Sequence, residues 1–274
     1  MAGGIIRSVI TTHSPRIGIE ARAPDFTRGL IQGVRLLGEE LRAAKPDAVV
    51  LMSTHWVTTF PWYTTCQAVH EGVCVADEAP DLIPAIPYKW KGDPVLAGAI
   101  VEEIAALGVM AGRNDAQHYS LDYGTVVPMQ YIDPKMELTL VSLGTCILAP
   151  LEECLNVGAA VRRAAEKTGR KVAMVGSTSF AHRIERGQEK WPAKEFMETD
   201  FKFIEMLTSG RVKEAKEWLP QYAKQVVAEV GGRVIATVLG TMDETRERYT
   251  GVQHGPYGQS SASGNASVCI RPVH

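Results

Sequence analysis

The sequence has no cysteine pair spaced C-x-x-C, and its five cysteines, Cys66, Cys74, Cys146, Cys154 and Cys269, are odd in number and scattered over 274 residues. Such a set supports neither a disulfide framework nor a cysteine-based structural zinc site, and it suits a reducing compartment. Nor is there an excess of one charge: 29 basic against 31 acidic residues leave a formal net charge of −2. With no basic face and no block of like charges, nucleic acid is not an expected partner. No apolar run approaches the roughly 20 residues of a membrane span. The segment Met1 to Ile10 has Arg7 as its only charged side chain and no long apolar stretch, so it does not read as a signal peptide. These absences predict a soluble, cytoplasmic chain. Repeats, low-complexity tracts and linkers are missing too, which predicts one domain over residues 1–274.

What is present is an ordinary globular mix, 45% hydrophobic and 22% charged, enough to bury a core. Ile5 to Thr11 is β-branched and predicts a first strand. Phe26 to Ala44 spaces Leu30, Ile31, Val34, Leu37 and Leu41 as a helix, with Asp25 as its expected cap and Gly33 and Gly38 inside it. Ala48 to Met52 is a continuous apolar run, as in a strand buried on both faces. A helix over Leu96–Leu107, a strand over Leu138–Leu143, a helix over Leu151–Lys167 and a strand over Val172–Val175 continue the alternation. Alternating β and α elements predict an α/β fold, a mainly parallel or mixed central sheet with helices on both faces. Beyond Ser179 the pattern predicts helices over Lys194–Leu207, Arg211–Trp218 and Tyr222–Val230. Val234–Leu239 fits either helix or strand, and Ala266–Ile270 predicts a closing strand. Gly255 to Gly264 reads as a loop, and Thr58 to Pro94 shows little period.

Three of the seven histidines occupy equivalent places. His13 follows the first strand in Thr11-Thr12-His13-Ser14-Pro15, His55 follows the second in Ser53-Thr54-His55-Trp56, and His182 follows the strand that begins at Val172. In open α/β sheets ligands bind beyond the carboxyl ends of the strands, so these side chains can converge. Each alone would read as an isolated loop residue. Imidazole binds iron, zinc and copper, and two histidines with a carboxylate on one face favour ferrous iron and oxygen chemistry. A third histidine can move protons near neutrality. His70 and His274 have no supporting context.

The order of several segments resembles the class III extradiol ring-cleavage dioxygenases, the group of protocatechuate dioxygenase beta subunits and 2-aminophenol dioxygenase. The likeness spans nearly the whole chain. It rests on the strand ending in His13-Ser14-Pro15, on Lys45-Pro46-Asp47-Ala48-Val49-Val50 ahead of Ser53-Thr54-His55-Trp56, and on Leu121-Asp122-Tyr123-Gly124-Thr125. The strand leading to His182 and the Gly-rich end from Tyr257-Gly258 to Ser263-Gly264-Asn265-Ala266 complete it. The resemblance implies non-haem Fe(II) held by His13 and His55, with His182 as acid or base. Tyr123 stands where the protocatechuate branch carries histidine and the aminophenol branch tyrosine. The family's third ligand, a glutamate shortly before the final Tyr-Gly, falls on Gln253, with His254 beside it as an alternative donor. Glu244 and Glu247 lie nearby in a charged run. His118, Trp56 and His254 are expected to line the substrate pocket.

The implied activity is opening of a catechol or 2-aminophenol-type ring with O2, in a homo-oligomer or in a hetero-oligomer with a related subunit. Two other readings stand beside it. One is the same fold with an altered or absent metal, doing acid–base or hydrolytic chemistry on a cyclic substrate. The other, which the Gln253 position favours, is a non-catalytic partner subunit.

Overall fold

The computed structural model describes residues 3–187 and 189–273. In chain order the strands are β1 (Gly4–Thr11), β2 (Ala48–Thr58), β3 (Trp62–Thr65), β4 (Val69–Cys74), β5 (Ile86–Lys91), β6 (Ala111–Asn114), β7 (Leu140–Cys146), β8 (Lys171–Ser177), β9 (Arg248–Ser260) and β10 (Ser263–Val273). The helices are α1 (Arg28–Ala44), α2 (Pro94–Ala105), α3 (Tyr123–Ile132), α4 (Leu151–Thr168), α5 (Lys194–Thr208), α6 (Val212–Gln225) and α7 (Arg233–Gly240). Among the described residues, eight strands form one sheet in the order β6-β3-β7-β2-β8-β1-β10-β9, and β4 and β5 pair as a separate hairpin. The four central strands, β7, β2, β8 and β1, are parallel; β10 runs antiparallel to β1, and β9 antiparallel to β10. This is the mixed α/β sheet that the alternation predicts.

The central strands read as unbroken apolar runs because both faces are covered. Side chains alternate between the faces. Ile10, Val50, Met52, Val172 and Met174 meet α2, α4, α5, α6 and α7 on one side. Val9, Val49, Leu51, Ala173 and Val175 meet α1, α3 and the β4–β5 hairpin on the other. Each of the valine, leucine, isoleucine and methionine side chains among them, fully removed from water, contributes about 1.5–3 kcal/mol. Gly33 in α1 is explained by a close approach, since a Cβ there would lie 2.5 Å from the His254 carbonyl oxygen of β9. No described helix is long and apolar enough to cross a membrane.

Several local expectations fail. Gly255–Gly264 is not a loop: β9 and β10 run through it as a long hairpin that turns at Ser261 and Ala262, with φ of 50° and 66°. Two consecutive positive φ values suit a primed two-residue turn, usually written Asn-Gly; Ser-Ala hides it. The helices expected at Arg211–Trp218 and Tyr222–Val230 are one helix, α6, which passes through Pro220 and ends at Gln225. Asp25 does not cap α1; it sits in a preceding 3-10 turn and binds Arg28 instead. Val234–Leu239 is helical, in α7, and the segment after Thr58 hides β3, β4 and β5.

Candidate metal centre

The strand order places the site. β1 and β2 are parallel and flank β8, so their carboxyl ends lie two strand spacings apart, roughly 10 Å. His13 leaves the end of β1, and His55 lies near the end of β2, where pairing with β7 is irregular between Met52 and Val57. The two rings reach toward each other over Ser177, the last residue of β8, and their Nε2 atoms are 3.1 Å apart.

Hydrogen bonds set the orientation of both rings. The Ser177 hydroxyl donates to the Gly124 carbonyl, so its oxygen accepts from His13 Nδ1 at 3.1 Å. His55 Nδ1 lies 3.3 Å from a Glu78 carboxylate oxygen on the loop between β4 and β5. With both Nδ1 atoms engaged as donors, both Nε2 lone pairs face the same space. The Leu121–Thr125 segment supports this corner. Asp122 caps α3 by accepting from the Thr125 backbone N–H and hydroxyl and from the Ser53 hydroxyl. Gly124 leaves room for the histidine: a Cβ there would lie 2.2 Å from Ser53 Oγ and 3.2 Å from His55 Cδ2. Tyr123 is buried with its ring centroid 4.0 Å from that of His55.

Glu229 stands where a third donor would. Its Oε1 is 3.4 Å from His13 Nε2 and 3.9 Å from His55 Nε2. Donor atoms roughly 2.1 Å from one cation and at right angles lie about 3 Å apart, so the three atoms have close to the spacing of one face of a coordination shell. His13, His55 and Glu229 form a group whose ligand atoms all lie within 4.8 Å of one another. The carboxylate is itself held by the Ser179 backbone N–H at 2.6 Å and by the hydroxyls of Thr54 and Thr178 at 3.1 and 3.2 Å. Its backbone departs from ordinary geometry: Val227 and Val230 have φ of 51° and 42°, followed by Gly231 and Gly232 at 66° and 80°. Left-handed valines store about 1–3 kcal/mol each, strain that the surrounding contacts hold in place while the turn presents Glu229.

The electrostatics match a cation site. Burial disfavours the charged form of His13, but the Glu229 carboxylate outweighs it and the pKa is raised. Burial, then the His13 charge, pushes His55 down to about 3. Burial acts to raise Glu229, but His13 and His182 hold its carboxyl far below the usual range. The donor set is therefore a carboxylate with two imidazoles, one of them strongly biased to the neutral form. In composition that set matches the 2-His-1-carboxylate groups that bind ferrous iron in oxygenases. His182 lies alongside, Nε2 3.6 Å from Glu229 Oε1, its pKa lowered chiefly by burial. Its Nδ1 is buried without a hydrogen-bond partner among the described residues.

The structure brings four of the expected site residues, His13, His55, Tyr123 and His182, to one cavity. Gln253, expected as the third ligand, lies elsewhere. Gln253 pairs with Val268 along β9, donates to the Gly255 carbonyl, and faces a groove beside Phe201 and Ile204. With Glu229 in place, the missing acid that favoured a non-catalytic partner subunit is no longer missing. The sequence pattern predicts a helix over Tyr222–Val230, which conceals Glu229; the Gly231-Gly232 pair just after it is the signal that the helix stops earlier. Trp56 is not in the pocket either. Its neighbour His55 faces the cavity, so strand alternation turns Trp56 away, against Tyr119 at 5.0 Å between centroids. His118 is exposed on the loop before α3, and His70 is buried against the Leu140 carbonyl. His274 lies outside the described residues.

His254 is a structural residue. Its Nε2 donates to Glu40 Oε2 at 2.7 Å, while Arg7 and Arg271 bind Glu40 Oε1 at 2.8 and 3.2 Å, joining α1, β1, β9 and β10. The His254 bond, then Cys269 and Arg7, hold the Glu40 carboxyl at about 2 against burial, below its ordinary 4.5. A pKa lowered by folding contributes stability that is present above about pH 4.5 and lost as pH falls toward 2. Solvent still reaches this cluster, so about 1–2 kcal/mol is expected. Denaturant midpoints of wild type and Glu40→Gln should differ by that amount at pH 7 and converge only as pH falls to about 2. An equal gap at both pH values would show that Glu40 has no linked role.

Comparison with known proteins places the chain in a family. A family profile described as "Catalytic LigB subunit of aromatic ring-opening dioxygenase" matches residues 7–263. The chain is 26% identical to 3,4-dihydroxyphenylacetate 2,3-dioxygenase of Escherichia coli over 222 residues, 78% of this chain and 80% of that protein. It is 26% identical to the 2-aminophenol 1,6-dioxygenase beta subunit of Pseudomonas sp over 289 aligned positions, 97% of this chain and 93% of the relative. The alpha subunit of that enzyme is 25% identical over 240 residues, covering 85% of this chain and 86% of the relative. In fold, the crystal structure of an uncharacterised protein from Escherichia coli K12 superposes with a TM-score of 0.68 at 18% identity, covering 96% of this chain and 99% of the other. On the profile match across most of its length, the chain belongs to the family of the catalytic LigB subunit of aromatic ring-opening dioxygenases.

Proposed function

We propose that this chain is a ring-opening dioxygenase for catechol or 2-aminophenol-type substrates, with His13, His55 and Glu229 as the holders of non-haem Fe(II). The observation that carries the reading is the meeting of two imidazoles and one buried carboxylate within 4.8 Å, at the carboxyl edge of the sheet. The chemistry that ferrous iron supplies in such a triad is joint activation of an ortho-substituted phenol and O2 at the positions the protein leaves open. The chain's own part is then positional and protonic. Glu78 and Ser177 hold the two rings in their binding tautomers. Tyr123, packed on His55, walls the space beside them. His182, neutral near pH 7 because burial lowers its pKa, accepts a phenolic proton as the substrate binds and returns it as the ring opens. The named relatives include an alpha and a beta subunit, so the proposal extends to assembly with a second copy or a related chain.

The test is anaerobic loading with Fe(II), followed by substrate and oxygen. Equimolar oxygen uptake and a yellow ring-opened product from a catechol or an aminophenol are expected. Absence of both across the two classes, with iron bound, would defeat the reading.

A further inference from the structure

His182 is the least anchored ring of the site. Ser177 holds His13 and Glu78 holds His55. His182 Nδ1 has no hydrogen-bond partner among the described residues, and its Nε2 is 3.6 Å from Glu229 Oε1, too far for a hydrogen bond. The ring therefore takes its place from the backbone that carries it. That backbone is fixed from three sides. The His182 N–H donates to the Val226 carbonyl at 3.3 Å. The Phe180 N–H and the Ala181 carbonyl bond to Gly264 of β10 at 2.9 and 2.7 Å. The third hold is Asp200 of α5, whose Oδ2 accepts from the Ala181 N–H at 3.1 Å.

Asp200 is fully buried, and among the described residues it has no cationic partner. Its other partners are hydroxyls: Tyr222 of α6 donates to Oδ1 at 2.8 Å, and Tyr257 of β9 donates to Oδ2 at 2.6 Å. The cluster is closely packed, since a Cβ on Gly264 would lie 2.5 Å from Asp200 Oδ2. Burial pushes the carboxyl up to about 6 against these three donors. A carboxyl whose pKa is raised by folding costs stability when it is ionised at neutral pH. Polar partners replaced together by apolar groups of the same shape can leave stability nearly unchanged. The fold as such does not call for this charge. What it supplies is an acceptor for the peptide N–H next to His182.

We propose that Asp200 is a positioning residue: through the Ala181 N–H it sets the place of the His182 imidazole beside Glu229. The inference rests on the reading of His182 as the proton carrier in ring opening. A tyrosine hydroxyl can turn from donor to acceptor, so Asp200→Asn keeps the Ala181 bond by aiming its NH2 group at Tyr222, whereas Asp200→Leu removes that bond.

The experiment is a double-mutant cycle with His182→Gln, on protein loaded anaerobically with Fe(II), given saturating catechol or 2-aminophenol and then oxygen. Asp200→Leu should lower kcat about 10–100-fold with Fe(II) affinity kept within about threefold, and Asp200→Asn should recover kcat to within about fivefold of wild type. In the His182→Gln background, Asp200→Leu should cost less than about threefold more, because the residue it positions is already gone. Multiplying losses, iron lost in step with activity, or a kcat in Asp200→Leu within about threefold of wild type would overturn the proposal. If Asp200→Leu yields no folded protein, Asp200→Glu takes its place in the same cycle; it keeps the charge and acceptors but pushes Ala181 away by one methylene. A second readout needs no turnover. In metal-free protein with isotope-labelled histidine at fixed pH, the ring signal that His182→Gln deletes should shift in Asp200→Leu while that of His70 stays; an unmoved His182 signal counts against the proposal. A shifted signal with no ring opened by wild type keeps Asp200's role and removes the dioxygenase reading. Ring opening with a failed cycle leaves that reading intact and removes Asp200's role.

Discussion

Glu229→Gln is expected to weaken Fe(II) binding by more than about 100-fold and to abolish ring opening with it, while Gln253→Ala changes neither by more than about twofold. Outer-shell changes in metal sites typically cost about 10–100-fold, and Glu229 is placed to touch the ion itself. Glutamine keeps the shape and one acceptor oxygen for the Ser179 N–H, so the fold is retained. What it removes is the negative charge opposite His13 and His55. Alanine is the poorer choice, because it strands the Ser179 N–H and the Thr54 hydroxyl in a buried site. Each stranded donor costs about 1–3 kcal/mol, and lost metal would then be confounded with lost stability. Calorimetric titration of the anaerobic protein with Fe(II), beside thermal unfolding of the metal-free forms, separates the two. Wild-type affinity in Glu229→Gln, or loss of binding in Gln253→Ala, would return the third ligand to β9.

The same pair of residues shows which parts of the site the sequence reveals. His13, His55 and His182 were legible because each follows an apolar β-branched run, and parallel strands put such ends at one edge. Strand order was not legible, yet it decides that β8 lies between β1 and β2 and that Ser177 sits beneath both rings. Glu229 was hidden for a different reason. Its position depends on a short turn with left-handed valines, a conformation that tertiary contacts impose against local preference. The resemblance puts a ligand at Gln253 through its distance from Tyr257-Gly258. The long β9–β10 hairpin makes that distance misleading, since β9 carries Gln253 away from the cavity while Ser260 and Ser263 return to it. Trp56 failed through period alone: one residue along a strand reverses the face.

His182→Gln separates proton movement from metal holding. It should lower kcat by about 10²–10⁴-fold, the range for loss of a general acid or base, with Fe(II) affinity kept within about tenfold. His182 enters from the segment after β8, its backbone N–H bonded to the Val226 carbonyl, and its Nε2 stands 3.6 Å from Glu229 Oε1. Beside Glu229 it is a neighbour of the candidate triad; the donor atoms that all lie within 4.8 Å of one another belong to His13, His55 and Glu229. Burial without a partner for Nδ1 has no structural return, whereas a group that must exchange a proton with a ligand has reason to stay unpaired. Because glutamine cannot titrate, a proton-transfer role predicts a loss in kcat and kcat/KM together with little change in substrate affinity measured without oxygen. If kcat holds within about threefold, or if iron is lost in step with activity, His182 is a packing residue or a ligand and the proton must move through another group.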